Sequence, residues 1–147
     1  MVVQKEYPET GSYILYFTIK KSVETPFGRL AGGFCYVGSA RGPGGLWARI
    51  RRHLTGRGKR WWHIDYLTQS NRVVHHWVGV AESLPECEIS KGLAELFQPV
   101  PGFGSSDCKV CRSHLYRVDD PEALLGLAQK LGMVVLDAET VRKTLIG

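Results

Sequence analysis

A chain of 147 residues, 44% hydrophobic and 22% charged, has the make-up of one globular domain able to bury its own core. Its formal charge of +5 is unevenly placed: residues 41 to 60 hold seven Lys or Arg and no acid, whereas from Asp119 onward five acids face three bases. No run approaches the ~18 consecutive apolar residues of a membrane helix, and the start, MVVQKEYPETGSY, lacks the charged lead and apolar stretch of a signal peptide.

A cytoplasmic protein without a membrane partner is therefore expected. Cys35, Cys87, Cys108 and Cys111 then read as thiols or metal ligands, not as a disulfide framework. The basic stretch is either a solvated surface or a phosphate-binding one.

In chain order, SYILYFTI (12–19) and GGFCYVG (32–38) are aromatic and β-branched enough for two strands. Between them TPFG places Pro26 and Gly28 as a type I turn prefers, which predicts a long hairpin. Leu46, Ile50 and Leu54 recur at helical spacing and Gly56 is a stop signal, giving a first helix.

WWHIDYLTQS (61–70) suits a short second helix, and RVVHHWVGVA (72–81) a third strand. A third helix is expected from about Pro85 to Phe97, with Ile89, Leu93, Leu96 and Phe97 on one face. PVPGFGSSDCKVC carries too many breakers for regular structure, and SHLYRV reads as a fourth, edge strand. The tail predicts a helix over 121–131, a strand at MVVL and a last helix from about Ala138. The order β-β-α-α-β-α implies a single α+β domain, with a core over 11–100, a small and mostly antiparallel sheet flanked by helices, and a Cys-containing loop and α/β extension over 101–147.

Two tyrosines stand at strand positions beside glycines, Tyr13 in GSY and Tyr36 in YVG; either their rings pack in the core or their hydroxyls serve a site. On the first helix Arg49 and His53 are four residues apart and share a face. Arginine offers a permanently charged, planar fork suited to phosphate. His53 is either satisfied by a neighbour or a proton carrier, whereas Arg51 and Arg52 point elsewhere, toward backbone contacts or solvent. Arg57, Lys59 and Arg60, with Trp61 and Trp62 beside them, either track a nucleic-acid backbone or flank core tryptophans. His63 and Asp65 form a candidate polar network, and His75 and His76 read as structural.

GSY, YVG and GLWARIRRH together resemble the GIY-YIG nuclease superfamily. CYVGSARGPGGLWARIRRH, HIDYL, ECEI and GFGSSDC resemble more closely a prokaryotic GIY-YIG-like family long labelled a domain of unknown function, over roughly residues 11 to 118. The resemblance implies a GIY-YIG-like fold and a metal-dependent endonuclease acting on nucleic acid, DNA first, in repair or nicking.

It places Tyr13 and Tyr36 on the motif tyrosines, Arg49 on the catalytic arginine and His53 on a histidine of some members. It also implies a glutamate that holds Mg2+ or Mn2+. Glu86 is preferred, because Ile89 and Leu93 follow it at the apolar spacing of that helix, with Glu88 in reserve. Arg41, Arg52, Arg57, Lys59 and Arg60 become candidate nucleic-acid contacts. The third-helix asparagine of several members has no clear match here, and Ser105, Ser106 or Asp107 is the candidate substitute.

Cys108, Cys111 and His114 in CKVCRSH have zinc-like spacing but make only three ligands, so a structural Zn2+ would need Cys87 or another histidine. Packed loop thiols are the alternative. Two other functional classes remain open: a non-catalytic nucleic-acid-binding module of the same fold, and a zinc-stabilised protein-interaction domain.

Overall fold

A computed structural model describes residues 8–40, 45–57, 63–103 and 113–146. The hairpin is present and longer than its apolar runs. Strand β1 (Gly11–Thr25) pairs antiparallel with β2 (Gly28–Ala40) around Pro26 and Phe27. Thr25 Oγ1 donates to the Gly28 carbonyl at 2.8 Å and accepts from Phe27 N at 3.0 Å, which closes the turn.

The polar residues Lys20 to Ser22 hid the extra strand length from the sequence pattern. The β1–β2 register shifts there, and Lys21 takes φ 57°. Beyond the shift Val23 pairs with Leu30, and both are buried.

Helix α1 (Gly45–Thr55) buries Leu46, Ile50 and Leu54 as expected, together with Trp47 and His53. Its start is tied to the segment before β1: Leu46 N donates to the Glu9 carbonyl and Trp47 Nε1 to the Pro8 carbonyl, each at 2.7 Å. Gly56, at φ 66°, ends it. The second helix is shorter than predicted, with α2 spanning Asp65–Thr68; Trp61 and Trp62 lie outside the described residues.

Strand β3 (Val73–Ala81) pairs with the other edge of β1, and α3 (Glu86–Leu96) follows, with Pro85 just before its first turn. Leu96 is a correction: it is 49% exposed, because the helix stops there and Phe97, in extended backbone, takes the core position. After β4 (Gln98–Pro99) come β5 (Leu115–Arg117), α4 (Pro121–Lys130), β6 (Val134–Asp137) and α5 (Ala138–Ile146). Asp120 Oδ1 caps α4 by accepting from Ala123 N at 3.2 Å.

All pairings are antiparallel in one six-stranded sheet of order β4-β5-β2-β1-β3-β6. Strand β5 is thus not an edge strand, since β4 borders it. The C-terminal region completes the sheet on both sides, through β5 beside β2 and β6 beside β3, and is not a separate appendage.

Alternation along the central strands divides the core. Tyr13, Leu15, Phe17 and Ile19 pack with residues of α1, α2 and α5, while Ile14, Cys35 and Val37 pack with residues of α3 and α4. No helix among the described residues is long and apolar enough to cross a membrane.

Candidate active site

Register brings the two motif tyrosines together. Tyr13 lies opposite Gly38, and Tyr36 opposite Leu15. The two phenols therefore stand on one face as diagonal neighbours, their ring centroids 6.5 Å apart. Gly38 is required by this arrangement, because a Cβ at that position would lie 2.5 Å from Tyr13 Cζ. The glycine of YVG makes room for the tyrosine of GSY.

Helix α1 crosses the same face and presents His53 to Tyr13. The Tyr13 hydroxyl and His53 Nε2 are 2.7 Å apart, and each residue is 1% exposed. Tyr36 meets the His53 ring edge-on at 6.1 Å. Burial, first of all, drives the His53 pKa down to about 3, with Asp65 opposing the fall. Burial likewise holds the Tyr13 phenol well above 10.0, and the negative charges of Glu86 and Asp65 add to the effect.

At neutral pH the pair is uncharged, and a proton would have to leave a phenol above 10.0 for an imidazole near 3. His53 is therefore a poor proton carrier. With Tyr13 it packs against the Tyr36 ring.

Arg49, one turn earlier, is half-buried and donates from Nη1 to the Ser39 carbonyl at the end of β2. Its charge lowers the pKa of both phenols, opposing Glu86, which raises both. Glu86 is the first residue of α3 and is half-buried, at a helix end that favours an anion. Tyr36, 6% exposed, is pushed upward by burial first and Glu86 second, so it too is protonated at neutral pH.

The two candidate acids separate clearly. The Glu88 side chain is 57% exposed and pairs with Lys91 at 3.6 Å, whereas Glu86 acts on the tyrosines. One half-buried carboxylate whose charge reaches both phenols fits a magnesium ion, which keeps most of its waters and needs few protein ligands. Among the described residues no group of three or more His, Cys, Asp or Glu is arranged to hold a metal.

Arg52, expected as a nucleic-acid contact, donates from Nη2 to Asp65 Oδ2 at 2.8 Å, and the Asp65 side chain is 1% exposed. A buried carboxylate needs a cation, and Arg52 supplies it. His63 places its ring 4.6 Å from Phe27 and 5.7 Å from Phe103.

Phe103, missed within the glycine-rich segment, also reaches Tyr36 at 6.2 Å and forms part of the site's floor. Its only sequence signal was an aromatic between two glycines in GFG. Ser39, whose backbone holds Arg49, left no side-chain signal at all.

Arg57 is exposed just after α1, whereas Arg41, Lys59 and Arg60 lie outside the described residues, as do Cys108, Cys111, Ser105, Ser106 and Asp107. His114 is buried between strands: its N donates to the Phe103 carbonyl and its carbonyl accepts from Val37 N. Cys35 is a buried thiol and Cys87 a half-buried one, and neither is in a disulfide. His76 Nε2 lies 3.0 Å from Thr18 Oγ1, and the His75 ring faces Phe17 at 6.0 Å, consistent with structural roles.

The family model described as "Domain of unknown function DUF123" matches residues 12–135. The chain belongs to the DUF123 family. No curated protein and no solved structure matches it. The DUF123 segment runs from Ser12, next to Tyr13, into β6, so it contains Tyr13, Tyr36, Arg49, His53 and Glu86 and reaches further than residue 118. Helix α5 lies beyond it, yet contributes Ala138 and Val141 to the core shared with α1.

Proposed function

We propose that this DUF123 protein is a GIY-YIG-type, metal-dependent endonuclease that hydrolyses phosphodiester bonds in nucleic acid, with DNA as the substrate and nicking or repair as the setting. The observation that carries the reading is the clustering of Tyr13, Tyr36 and His53 in ring contact with Arg49 one helical turn away and anchored on Ser39, where the opposed charges of Arg49 and Glu86 both bear on the phenols.

Hydrolysis adds water to phosphorus, breaks one P–O ester bond and leaves an alkoxide to be protonated. Negative charge grows on the non-bridging oxygens on the way, and the Arg49 guanidinium, anchored on Ser39, is suited to hold them. Glu86 would hold a magnesium or manganese ion, which when bound supplies positive charge to the departing oxygen. Tyr36, kept protonated, donates a hydrogen bond to orient the attacking water or a phosphate oxygen and does not act as the base. Tyr13 and His53 fix the Tyr36 ring from below.

The experiment is cleavage of supercoiled, branched and lesion-bearing DNA with magnesium or manganese, comparing the unsubstituted protein with Arg49→Ala. Loss of one transition-state donor should cost about 10²- to 10³-fold in rate. Cleavage unchanged by Arg49→Ala would sink the assignment.

A second reading, a nucleic-acid-binding module without turnover, is favoured by one observation: Tyr13 and Tyr36 are only 1% and 6% exposed. It expects salt-sensitive binding with no cleavage of any of these substrates.

A further inference from the structure

On the face of the sheet that carries Tyr13 and His53, the end of α1, α2, β3 and α5 enclose a pocket of about 380 Å³. Thr55, Arg57, Thr68, Asn71, His75 and Arg142 supply its polar lining, and among the described residues that line it none is acidic. Three buried polar atoms of that lining, Thr68 Oγ1, His75 Nδ1 and Arg142 Nε, have no hydrogen-bond partner among the described residues. Buried polar atoms are rarely left so, and three around one pocket are what a bound polar ligand would satisfy.

The chemistry of that partner follows from the donors. A guanidinium Nε–H and a hydroxyl both donate, and two arginines add positive charge. Arg142 is only partly engaged, through Nη2 to the Leu54 carbonyl at 3.3 Å and through a loose contact with Glu139 at 3.9 Å. Thr68 is 8% exposed, so its hydroxyl is held in place rather than bathed in solvent. A group with several acceptor oxygens and a negative charge meets all of these at once.

We propose that this pocket binds a phosphate-class oxyanion, held by Arg142, Arg57 and the Thr68 hydroxyl. The site is separate from the endonuclease reading and does not rest on it. Tyr36, Arg49 and Glu86 are not among its lining, and Arg142 lies beyond the segment matched by the family. The oxyanion is either a phosphodiester of a bound strand or the phosphate of a small molecule, and the two differ in the experiment.

The full chain is titrated with inorganic phosphate, against sodium chloride at matched ionic strength, while the His75 ring and Thr68 methyl resonances are followed. Oligonucleotide binding is measured in parallel by anisotropy, with and without phosphate. The expected result is a saturable phosphate response at the pocket, weakened about tenfold or more in Arg142→Gln and in Thr68→Val.

Thr68→Val keeps the side-chain shape and removes only the unpaired hydroxyl, so its melting temperature should hold or rise. Weaker phosphate binding by that variant is then not a folding defect. Competition between phosphate and the oligonucleotide identifies a strand phosphodiester as the ligand; phosphate binding without competition identifies a small phosphorylated molecule. A response no different from chloride, or phosphate bound as tightly by folded Thr68→Val as by the unsubstituted protein, overturns the proposal.

Discussion

The Tyr13 hydroxyl and His53 Nε2, 2.7 Å apart and both shut off from solvent, join β1 to the middle of α1. With the Arg49 bond to the Ser39 carbonyl and the shared apolar core, this bond ties the helix that carries Arg49 to the hairpin that carries Tyr36.

Tyr13→Phe keeps the ring and removes the bond. Because it withdraws a partner from a buried imidazole, it should lower the unfolding free energy by about 1–3 kcal/mol. Urea denaturation at neutral pH measures the loss. An unchanged midpoint would show that the bond carries no net weight.

Acid should weaken the fold earlier than carboxylate protonation would require. Burial lowers the pKa of His53 from 6.5 to about 3 and that of His75 from 6.5 to about 4. Between those values and 6.5 the unfolded chain binds protons that the folded chain refuses. The stabilisation is therefore complete above pH 6.5 and is lost as pH falls toward 4 and then 3. Each histidine can contribute up to about 1.4 kcal/mol per pH unit within its window. Denaturation midpoints measured from neutral pH downward test this, and a flat profile to about pH 5 would contradict neutral burial of both rings.

Removing Arg52 should damage stability before it damages binding. Arg52→Ala leaves the Asp65 carboxylate, 1% exposed, without its cation at 2.8 Å, a loss of about 3–5 kcal/mol. Asp65→Asn in the same chain removes the stranded charge and should recover part of that loss. Nucleic-acid affinity of the folded double variant, compared with that of Arg57→Gln, separates a buried partner from a surface contact.

Glu86→Gln and Glu88→Gln should part company. On the endonuclease reading the first lowers magnesium-dependent cleavage by about 10²-fold or more, while the second leaves it unchanged. A titration of cleavage rate against magnesium for both variants checks the choice. Equal loss in the two would return Glu88, the exposed partner of Lys91, to consideration.

The elements were legible where their signal is local. Pro26 and Gly28 marked the turn, Leu46, Ile50 and Leu54 marked the buried face of α1, and Gly56 marked its end. The failures came where neighbours in space outweighed neighbours in sequence. The run Lys20 to Ser22 reads as a break, but pairing on both sides carries β1 through it with a shift in register. Leu96 fits a helical apolar face by spacing, yet the chain turns into β4 and hands that place to Phe97.

The sequence by itself determined the strand and helix periods and the positive field around α1, because residue type and spacing carry that information, while the set Tyr13, Tyr36, Arg49, His53 and Glu86 is what the resemblance to the GIY-YIG superfamily implies. Only the tertiary structure decided which of these groups keep company and in what charge state. Register put Gly38 opposite Tyr13 and made room for its ring; burial made His53 neutral. The start of α3 brought Glu86, and not Glu88, into the field of both phenols. The reason is physical: pKa and hydrogen bonding depend on depth and on partners distant in the chain, and neither is written in local order.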